Sequence, residues 1–111
     1  MTTNEFPTLL FSREFDDLEE YDATSRGCLD AKVQQQDGRT YPVTFYDCTR
    51  LVQDLEYEVS AGRMCIADPG MIVLPEVTLQ NMLTAVRALT REGYFEHLRP
   101  LVEAPDTDGA R

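Results

Sequence analysis

The stretch from Met71 to Phe95, MIVLPEVTLQNMLTAVRALTREGYF, most narrows the folds open to this 111-residue chain. It reads as a buried strand, a proline-marked turn and an amphipathic helix with a glycine stop. Leu79, Met82, Leu83, Val86 and Leu89 recur at spacings of three and four, the stripe that turns one helix face toward a core. Thr78 stands where its hydroxyl can accept from an unpaired amide of the first turn. Gly93 suits the left-handed residue beyond the last turn. Arg87 and Arg91 fall near the carboxyl end, where the helix dipole favours positive charge. Such a helix needs a sheet on which to lay its stripe.

The rest of the chain supplies that sheet. From Cys28 the period changes to two: Leu29, Ala31 and Val33 share one face, and after a turn so do Tyr41, Val43 and Phe45. A two-residue Asp37-Gly38 loop would mix the faces. A three-residue loop, Gln36-Asp37-Gly38 with Gly38 left-handed, pairs Leu29 with Phe45, Ala31 with Val43 and Val33 with Tyr41, and predicts a bulge at Gly38. Pro42 lacks a ladder donor and calls for an open edge on its side. Asp47 or Thr49 caps a second helix, with Leu51, Val52, Leu55 and Val59 expected on its inner face and Gln53, Asp54, Glu56 and Glu58 outside. Ser60-Ala61-Gly62 ends it. Met64 to Ala67 and Met71 to Leu74 read as short strands around Asp68-Pro69-Gly70, and Phe6 to Phe11 as an edge strand.

The expected fold is therefore α+β: a two-layer sandwich with a small, mostly antiparallel sheet and two principal helices on one face, in the order (β)(α)-ββα-ββα. Residues 1–102 form one domain with a loosely attached acidic segment at 12–26, and 103–111 form a mobile tail.

Charge is the most unusual bulk property. Twenty acids against ten bases leave a formal charge of −10, which repels nucleic-acid phosphate and anionic membrane and excludes both as expected ligands. The segment Glu14 to Asp22 holds six acids in nine residues, and Phe15, Leu18 and Tyr21 recur through it as the inner side of a helix. It lacks the DxDxDG arrangement of a calcium loop, so a solvated face is the reading. Cys28, Cys48 and Cys65 make an odd number without CxxC spacing, fitting reduced thiols in a cytoplasmic protein.

Catalytic chemistry finds little support. The lone histidine, His97, has no HExxH or cysteine–histidine spacing around it. Cys48 begins a helix, a position that activates thiols, but Asp47 beside it works the other way and no base is near in sequence. Neither GxxxxGK[ST] nor GxGxxG occurs. No metal, cofactor or catalytic residue is expected, and aromatics such as Tyr41, Phe45, Tyr46 and Tyr57 read as sheet packing before they read as a pocket.

A small, acidic, motif-poor domain points to non-catalytic protein binding, with a basic protein as partner. Its candidate contacts are Glu14, Asp16, Asp17, Glu19, Glu20 and Asp22 together with Asp54, Glu56 and Glu58. Inhibitors such as bacterial toxin-immunity proteins share these bulk properties, with no motif behind the likeness. The alternatives are a homo-oligomeric accessory subunit, and a small ligand-binding domain or enzyme with its site between sheet and helices.

Overall fold

A computed structural model describes residues 6–101. The period-two segments form the hairpin of β2 (Cys28–Gln34) and β3 (Thr40–Tyr46). Its register pairs Leu29 with Phe45, Ala31 with Val43 and Val33 with Tyr41, as the intact apolar face requires. The Gln35 amide donates to the Arg39 carbonyl at 2.8 Å, and Gly38 takes φ +92°, so the three-residue loop closes the hairpin. β1 (Thr8–Leu10) adds antiparallel to β2, and β4 (Met71–Val73) adds parallel to β3, giving the order β1-β2-β3-β4. Pro42 opposes Lys32, and its nitrogen side lies beyond the start of β4, whose pairing begins at Thr44. No ladder bond is lost there.

Two helices cover one face of this sheet. α1 (Asp17–Arg26) contributes Ala23, and α3 (Leu79–Arg91) contributes Met82 and Val86. These pack with Ala31, Val33, Tyr41, Val43, Phe45 and Ile72 in one core, closed by Phe95 from a 3₁₀ turn at Tyr94–His97. The Tyr41 and Phe95 rings lie 5.5 Å apart. Each of Phe45, Met82, Val33 and Val86 is fully buried, contributing about 1.5–3 kcal/mol apiece. The two-layer α+β fold follows. The Thr78 hydroxyl accepts from the Asn81 amide, and Gly93 takes φ +79°, so α3 begins and ends where its cap and stop residues stand.

Three local expectations change. Met64–Ala67 is not a strand, because β4 runs parallel to β3 and residues 62–70 are needed to bring the chain back to the same end of the sheet. In α1 the stripe of Phe15, Leu18 and Tyr21 is not the inner face: Leu18 and Tyr21 are 65% and 69% exposed, and Ala23 points inward. Phe15 does pack against the core, and it stacks on Phe11 with centroids 4.4 Å apart. The segment at 12–26 is nonetheless anchored, since Thr24 donates to the Val77 carbonyl at 2.6 Å. The third change concerns α2 (Cys48–Ser60), which buries no residue at all. The expected tail at 103–111 lies outside the described residues.

The open face of the sheet follows from strand chemistry. The Thr44 amide donates to the Gly70 carbonyl, and the Leu74 amide to the Tyr46 carbonyl. Thr44 and Tyr46 thus aim their backbone groups at β4, and their side chains share the face opposite the core. α2 links β3 to the parallel β4, contributes no residue to the core on the other face, and meets the end of α1 through Arg50 and the Arg26 carbonyl.

Candidate interaction surface

The α2 helix starts as its sequence dictates. Asp47 is the N-cap, and its carboxylate accepts from the Arg50 amide at 2.8 Å. The same residue touches the end of α1: the Asp47 amide donates to the Gly27 carbonyl, and a Cβ at Gly27 would fall 2.6 Å from the Asp47 carboxylate. Gly27 takes φ +78°, so the close approach and the left-handed backbone both require glycine.

Past the cap, the helix turns its polar side inward. Arg50 donates to Asp54 at 3.0 Å and to the Arg26 carbonyl at 3.3 Å, and both Arg50 and Asp54 are half-buried. The hydrogen bond to Asp54 raises the Arg50 guanidinium further above its ordinary range. Burial, and after it the Asp54 carboxylate, push the Tyr46 phenol up. Leu51 is half-buried along this seam. Val52, Leu55 and Val59 face outward, exposed by 52%, 39% and 42%. Cys48 prolongs the stripe at the amino end, and Met64 lies exposed beyond the carboxyl end. Met64 takes φ +68°, an uncommon backbone for a large side chain, costing on the order of 1 kcal/mol. An amphipathic helix that shows its apolar stripe to water is the reverse of the inner face expected for Val52, Leu55 and Val59, and of the four residues expected inside only Leu51 keeps to the inner side. Amphipathicity says that the stripe needs cover, not which surface supplies it.

The sheet's open face carries a matching deficit. Leu10, Phe11, Ser12, Lys32, Pro42, Thr44 and Pro69 border a groove of about 510 Å³, as does Asp30, which accepts from the Thr44 hydroxyl at 2.8 Å. Val73 on β4 is exposed on the same side. Lys32, the only lysine of the chain, enters no ion pair among the described residues. The stripe was not legible as a site, because valine and leucine at helical spacing usually fill cores.

The acidic candidates divide by role. Asp16 caps α1, accepting from the Glu19 amide at 2.9 Å. Glu20 accepts from the Leu79 amide at 2.7 Å and so caps α3. Glu19 pairs with Arg13 at 3.3 Å, and Glu58 reaches Arg63 at 3.9 Å. Glu14, Asp17, Asp22 and Glu56 stand exposed. The two groups do not form one patch by any bond between them: the α1 acids lie on the core side of the sheet, and Asp54, Glu56 and Glu58 ride on α2. His97 is exposed on the 3₁₀ turn, and Cys28 is half-buried in β2. Among the described residues no three His, Cys, Asp or Glu side chains gather as a metal site, and no helix is long and apolar enough to cross a membrane.

No family model, no curated protein and no solved structure matches the chain.

Proposed function

We propose that this protein is a non-catalytic protein-binding module whose contact surface is the outward apolar stripe of α2. The observation that carries the reading is the 13-residue helix with no buried residue, whose Val52, Leu55 and Val59 face water while Arg50 and Asp54 face the domain. Helix-in-groove recognition uses anchors at this spacing. Exposed apolar stripes rimmed by polar residues mark binding surfaces. Glu56 and Glu58 flank the stripe, while Asp54 faces the domain. The acids of α1 fit less well as contacts, because Asp16 and Glu20 are engaged in capping the protein's own helices.

The test compares wild type with Leu55→Asp as bait in cross-linked capture from source cells. Leu55 supports no core contact, so the variant keeps its fold by circular dichroism. The expected result is a stoichiometric protein, a further copy of this chain included, held by wild type and lost from the variant. A partner retained equally by both would overturn the role of α2.

A further inference from the structure

Resting on that reading, we infer that the occupant of the α2 stripe is the open sheet face of a second copy of this chain, in a reciprocal two-fold dimer. Each copy carries both halves of an unfinished layer. Its sheet is covered by α1 and α3 on one face and uncovered on the other. Its crossover helix, the element that covers such a face in a completed β–α–β unit, leaves its apolar side unused. Exchange of α2 between two copies finishes both layers at once, and a surface that supplies both partners of a contact closes with two-fold symmetry.

Size and charge agree with this assignment. A helix of this length presents a strip of about 20 Å by 10 Å. Two dockings, each counted on both partners and extended by Met64 and Ile66, reach about 1,000 Å², the lower bound for a specific interface. Glu56 flanks the stripe one step from Val52 and, like Lys32 in the groove, enters no ion pair among the described residues. Docking brings an unpaired carboxylate on the helix toward an unpaired ammonium in the groove, twice per dimer. With −10 on each copy, the bodies repel at long range, so added salt tightens this dimer, whereas it loosens a complex with a basic protein.

Sedimentation equilibrium of the full chain tests the assignment, using wild type, Lys32→Glu, Glu56→Lys and an equimolar mixture of the two variants. Both sites are exposed and outside the core, and circular dichroism checks each fold. Wild type is expected at twice its 12.6 kDa mass, with a dissociation constant that falls as salt rises. Each single variant is expected to weaken the dimer at least about tenfold, because like charges then meet at both contacts. The mixture recovers wild-type affinity, since a dimer of one of each restores opposite charges at both. A wild-type chain that stays at single mass at every concentration overturns the second-copy assignment, while a partner lost on Leu55→Asp in the capture experiment would still uphold docking by α2. A dimer indifferent to Lys32→Glu, or a mixture that fails to recover, also overturns it.

Discussion

Glu20 of α1 accepts a 2.7 Å hydrogen bond from the backbone amide of Leu79, the first residue of α3, across 59 positions of sequence. The bond satisfies one of the orphan amides at the start of α3, places negative charge at the positive end of its dipole, and holds the two helices of the covered face in register.

Removing this contact should cost stability rather than binding. Glu20→Ala is expected to lower the unfolding free energy by about 1–2 kcal/mol, while Asp22→Asn, fully on the surface, stays within about 0.5 kcal/mol. Urea titration followed by circular dichroism reads both.

Gly70 is the second point of close approach. It takes φ +80°, and a Cβ there would press on the Pro42 carbonyl while Gly70 itself accepts from Thr44. Gly70→Ala therefore combines left-handed strain with a backbone collision at the start of β4, for a loss of about 2–4 kcal/mol by thermal or urea unfolding.

The two amphipathic helices should respond oppositely to truncation. Met82→Ala opens a cavity in a fully buried site and costs about 2–5 kcal/mol. Leu55→Ala removes atoms already half in water and costs under about 1 kcal/mol in the isolated chain. The comparison belongs at low protein concentration, where mass action does not add dimer stability.

That contrast shows what the sequence could and could not convey. The α3 stripe and the β2–β3 register were legible, because period and turn chemistry bind neighbours in sequence: Gly38 allows one loop, and that loop keeps Leu29, Ala31 and Val33 on one face. The α2 stripe was equally legible as a stripe, yet its side of the molecule was not. That side depends on β4 joining parallel to β3, which a three-residue strand with no alternation does not announce. Four apolar residues at Met64–Ala67 looked like a strand for the same lack of period. The Glu20–Leu79 bond joins segments that nothing in the local pattern relates, and so a capping acid looked like a surface one.

Tyr46 reports on the seat of α2. Burial first, and then Asp54, raise its phenol pKa in the folded chain. The neutral phenol is favoured by folding, so this contribution is fully present below the unfolded value of about 10 and is lost as pH rises through the folded one. Asp54→Asn should move the Tyr46 titration downward toward the ordinary range, followed by its ring resonances in NMR. An unchanged titration would show that the Asp54 charge does not reach the Tyr46 phenol.

The most direct measurement is an isotope-filtered NOE experiment on an equal mixture of labelled and unlabelled wild-type chain. The expected result is intermolecular cross-peaks from the Val52, Leu55 and Val59 methyls to Pro42, Thr44 and Lys32 of the other copy. Cross-peaks from those methyls to the sheet of their own chain, with none between copies, would contradict the account by showing that α2 turns its apolar stripe onto its own sheet.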